Sequence, residues 1–90
     1  MPDPRLHVHS TAVAQRIRAL SAVFPGSRAI QFRLAQVIER TTTADRLIQI
    51  AEHIRTIAFA LRSIECAHDA VEFDGLAAWL DEEAEGWPSH

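Results

Sequence analysis

The sequence predicts an all-α fold, a small bundle of three to four helices around one long central helix, and three observations carry that prediction. Leu47, Ile50, Ile54, Ile57, Leu61 and Ile64 recur at 3-4-3-4-3 spacing, the a/d pattern of a helix that meets a neighbour along a line. Three glycines and four prolines leave few places for a turn-rich β architecture. Apolar residues at 48% exclude general disorder. A chain of 90 residues makes one domain and buries roughly 60 to 65% of its unfolded surface, a modest core that a dimer would enlarge.

The elements follow in order. In residues 1–9, an N-terminal arm, Leu6 and Val8 alternate with Arg5, His7 and His9, the period of a short half-buried strand. Ser10 or Thr11 can cap a first helix whose apolar residues are Val13, Ile17, Leu20 and Phe24, and Pro25-Gly26 stops it. Ser27 can cap a second helix with the stripe Ile30, Leu34, Val37 and Ile38, ending near Thr41 to Thr43. Thr42 with Asp45 resembles a capping box and starts the third helix, expected over 44 to about 65. Ala51 and Ala58 flank its seam as small residues. Ile48 and Phe59 lie off the seam, so this helix is apolar on two sides and points to a homodimer. Asp69 reads as the cap of a new turn near His68, where the chain leaves the core, and Phe73-Asp74-Gly75 reads as a break. From Asp74 a last helix aligns Leu76, Leu80 and Ala84 with Phe73 and Trp87, until Gly86 and Pro88 end it. Residues 10–71 then form a basic helical body and 72–90 an acidic helix and tail.

Charge is divided along the chain. Residues 1–62 hold nine arginines against four acids, whereas residues 63–90 hold eight acids and no arginine or lysine. Lys, Tyr and Asn are absent, a bias expected of GC-rich coding in a bacterium or its phage. Without Lys there is no Walker-type phosphate loop and no Schiff base. Cys66 is the single cysteine, so neither an internal disulfide nor a cysteine zinc cluster is expected, and a reducing cytoplasm fits. The opening residues have two prolines and an acid where a signal peptide needs a basic lead and an apolar run. No uncharged stretch approaches a membrane span.

Candidate chemistry is sparse. His7 and His9 would share one face of a strand, but His53, His68, His90 and Cys66 lack ligand spacing, so no metal site is expected. Ser27 after Gly26 lacks the strand context of a nucleophile elbow, and the tail carboxylates form a solvated run. No catalytic residue, cofactor or enzymatic activity is therefore expected. The distinctive stretch is residues 73–87, with five acids and two tryptophans. Trp79, Glu82, Glu83, Glu85 and Trp87 are the candidate surface for a protein partner with a basic face, as in an inhibitor or adaptor. The competing reading has Trp79 and Trp87 closing the chain's own core while the acids neutralise its own arginines.

The order strand, helix, Pro25-Gly26-Ser27-Arg28, helix over residues 5 to about 40 resembles the ribbon-helix-helix fold of small bacterial repressors and antitoxins. That resemblance implies a dimer whose strand residues Arg5, His7 and His9 read the DNA major groove, with Arg16 and Arg28 among the arginines that would meet phosphates. Ile30 and Leu34 depart from that family's second-helix pattern, and the heptad helix lies outside it.

Overall fold

The computed structural model describes residues 4–41 and 43–87 and, of residues 4, 6 and 7, the backbone alone. Four helices follow one another: α1 (Pro4–Arg18), α2 (Pro25–Glu39), α3 (Ala44–Ser63) and α4 (Ala67–Glu85). No strand occurs among the described residues.

The strand expected at Arg5–His9 is instead the start of α1. Alternation over five residues is too short to outweigh a helical period. Ser10, Val13, Ala14 and Ile17 are all buried on one side, Val8 is 67% exposed, and a proline at the first helical position suits a helix start. Ser10 and Thr11 thus lie inside α1, and residues 4–9 of the expected arm belong to it. Without its strand, the ribbon-helix-helix resemblance has no ribbon among the described residues.

Pro25-Gly26 opens α2 instead of closing α1, and Ser27 lies within the first turn. Phe24 takes the extended conformation that the residue before a proline prefers, and Pro25 supplies a ready-made first helical φ. A Cβ on Gly26 would come within 2.6 Å of the Phe24 ring, so glycine admits that ring against the turn. The C-terminus of α1 is closed from a distance: Gln31 Nε2 donates to the carbonyls of Ile17, Arg18 and Leu20 at 2.8, 2.9 and 3.1 Å.

Helix α3 is capped by Thr43, whose hydroxyl accepts from the Arg46 amide at 3.2 Å; the expected cap Thr42 lies outside the described residues. Leu47, Ile50, Ile54 and Leu61 are buried as their spacing requires and Ile57 is half-buried. Ile64 is the exception at 57% exposed, because the helix stops at Ser63. There Glu65 turns to φ 64°, and the amides of Glu65 and Cys66 bond back to the carbonyls of Arg62 and Leu61, the Schellman closure of a helix.

Helix α4 begins at Ala67 and runs unbroken through Phe73-Asp74-Gly75. The buried series Ala70, Phe73, Ala77, Leu80 and Ala84 carries the helical period across the glycine, and Gly75 lies on the exposed side. The expected boundary at residue 72 therefore falls inside α4.

Close backbone packing joins α1 with α2 and α3 with α4. Arg62 with Asp74 and Arg55 with Asp81 tie α3 antiparallel to α4, one heptad apart on each helix. All four helices feed one core, extending from Val13 and Ile17 through Ile38 and Ile54 to Phe73 and Leu80. The bundle is elongated, 45 × 18 × 14 Å. No helix among the described residues is long and apolar enough to cross a membrane.

Candidate functional site

The acidic aromatic end is largely engaged with its own chain. Trp87 is 5% exposed and receives the His9 ring edge-on, centroids 5.0 Å apart and planes at 83°. Trp79 is half-buried, with the Arg16 guanidinium 4.5 Å above its ring, a cation–π contact. Glu83 meets His9 Nε2 at 2.9 Å, while Asp74 and Asp81 hold Arg62 and Arg55. Glu82 and Glu85 stay exposed without an ion pair among the described residues.

Asp69 acts as a cap, but for a different helix from the one its position in the sequence suggests. It occupies the first turn of α4, yet its carboxylate does not cap that helix. Its two oxygens accept from the amides of Val23 and Phe24, each at 2.9 Å, so it stands between the N-termini of α2 and α4 and favours both dipoles. It is 2% exposed, closed off by immediate neighbours although it lies near the molecular surface. Burial pushes its carboxyl up, but the Val23 and Phe24 amides, the Ser27 hydroxyl and the His68 ring together hold it below the ordinary aspartate value. The Ser27 hydroxyl is buried beside it and contributes despite falling short of full hydrogen-bond geometry. His68 is exposed, its Nε2 2.8 Å from the Ser21 carbonyl.

Three of the candidates for nucleic acid, His9, Arg16 and Arg28, are engaged with groups of the chain itself. Arg5 is exposed on α1, the His7 side chain lies outside the description, and His9 faces Glu83 and Trp87. Arg16 covers Trp79, and Arg28 donates to the Ala22 carbonyl at 3.0 Å.

A different surface emerges between α2 and α3. A cleft of roughly 590 Å³ has a floor of Ile30, Leu34, Val37, Ile50 and Ile57, with Arg33, Arg46 and His53 at its edges. A second hollow of roughly 550 Å³ shares Arg33, Val37 and Arg46 and adds Arg40. Arg46 donates to Gln49 at 3.2 Å, and none of the three arginines pairs with a carboxylate among the described residues. In contrast, Arg18, Arg55 and Arg62 are each ion-paired. The sequence does not single them out: Arg33, Arg40 and Arg46 have no acid three or four residues away, where a helical partner would stand, but neither do Arg5, Arg16, Arg18 and Arg28. The convergence of Arg33, Arg40 and Arg46 depends on how the helix pairs dock, which periodicity does not encode. Among the described residues no three His, Cys, Asp or Glu side chains gather as metal ligands, and Cys66 is a free, half-buried thiol. Compared with known proteins, the chain matches no protein-family model, no curated protein and no solved structure.

Proposed function

We propose that this protein is a non-enzymatic binding module whose α2–α3 cleft takes an acidic, amphipathic helical segment of another protein, while its own acidic helix serves the fold. The observation that carries this reading is the meeting of Arg33, Arg40 and Arg46, free of carboxylates, beside an apolar floor. Three clustered cations repel one another and gain when carboxylates arrive, and apolar side chains gain by leaving water. The chain already uses this chemistry internally: Arg55 and Arg62, one heptad apart on α3, take Asp81 and Asp74 from α4. Arg33 and Arg40 have the same seven-residue separation. Duplex DNA suits the cleft less well, because the apolar floor would gain nothing and the whole chain carries a net charge of −3.

The test is an anisotropy titration with a labelled helical peptide bearing a leucine stripe edged by glutamates at heptad intervals. Binding is expected, weakened about tenfold or more by Arg33→Glu with Arg40→Glu and weakened again by added salt. A peptide with lysines in place of the glutamates should not bind. Equal binding of the lysine peptide, indifference to the arginine changes, or preference for a labelled DNA duplex would each overturn the reading.

A further inference from the structure

Helix α3 carries a second row at 3-4-3-4-3 spacing across the helix from its buried seam: Asp45, Ile48, Glu52, Arg55, Phe59 and Arg62. All six are exposed, including Phe59 at 70% and Ile48 at 43%. Read along the helix, the order is acid, apolar, acid, then base, apolar, base. We infer that a second copy of this chain docks against this outer face of α3, antiparallel, about a two-fold axis passing between His53 and Ile54.

The pairing follows from the spacing. In an antiparallel pair each a position meets a d position of the other helix. Centring the axis between residues 53 and 54 then sets Ile48 against Phe59 of the second copy, Glu52 against its Arg55 and Asp45 against its Arg62. Every layer is complementary, and two-fold symmetry repeats each contact. A parallel pair would instead set acid on acid and base on base. Arg55 and Arg62 need not abandon Asp81 and Asp74, since their side chains are 44% and 50% exposed and a guanidinium offers five N–H donors. Partly desolvated ion pairs add little net affinity but select the register, so the two apolar layers supply most of the attraction. This face is separate from the α2–α3 cleft, and the inference stands without the reading of that cleft.

Sedimentation velocity should give about twice 10.1 kDa for the native chain at micromolar concentration. Glu52→Arg sets Arg against Arg55 of the second copy and should yield monomers, and Arg55→Glu alone should do the same. Mixing these two variants restores opposite charges in both layers and should return a dimer. Phe59→Glu, at an exposed position, should give a monomer with unchanged helical circular dichroism. A monomeric native chain, a Glu52→Arg chain that dimerises as well as the native one, or a dimer indifferent to Phe59→Glu would overturn the inference; so would failure of the mixed variants to pair.

Discussion

Asp69 accepts from two amides 46 and 45 positions away in the chain, so its loss is felt in two elements. Asp69→Asn keeps the shape, loses the charge and turns an amide donor toward one of the two N–H groups, and should cost about 1.5 to 3 kcal/mol. The sign with pH follows from the lowered folded value: the contribution is fully present above the ordinary aspartate value of 3.8 and is lost as pH falls through the lower folded value. Urea midpoints of the native chain and the variant should therefore differ at neutral pH and converge in acid. Constant separation into acid would refute this role. The sequence announced Asp69 only as a good helix-capping residue, which it is. That it caps the entry to α2 from the start of α4 was invisible, because capping propensity names the donor type and not the helix that supplies it. Gln31 escaped notice for the same reason.

Among the elements, α3 was the most legible, since six apolar residues at heptad spacing leave one solution. Its start and its buried seam follow that pattern, and Ile64 departs only because the chain turns at Glu65. A glutamate at φ 64° carries the left-handed penalty that glycine avoids. Glu65→Gly should raise stability by roughly 0.5 to 1 kcal/mol, read as a higher thermal midpoint with the helical signal unchanged; a lower midpoint would show that the Glu65 side chain matters more than its backbone. The arm at residues 4–9 was misread because a five-residue alternation fits both periods, and the break at Gly75 because a lone glycine on an exposed helix side costs only about 1 kcal/mol, less than the packing on either side supplies.

At the scale of the molecule, the all-α class was plain from composition, while the fate of the acidic end was evenly balanced between a partner and the chain itself. Most of that end faces inward: Trp87 closes the core against His9, and Asp74, Asp81 and Glu83 bridge to neighbouring helices. Trp87→Ala should cost about 3 to 5 kcal/mol and loosen α4 from α1, seen as a collapsed melting temperature; a melt within a degree or two of native would return Trp87 to the surface. Charge asymmetry raised the question of a positive partner, and the arginines of α3 are that partner for Asp74 and Asp81. Which arginines would be left over could not be read until the helices were laid side by side.

The bond from Asp69 to the turn before α2 also bears on how the chain reaches this structure. The α3–α4 hairpin is built from contacts close in sequence, which form quickly, whereas the entry to α2 finds its acceptor only after a loop of more than forty residues has closed. The first pair of helices is thus completed by the second, and the bundle should acquire its order as one cooperative event, not as two hairpins that mature separately and then adhere.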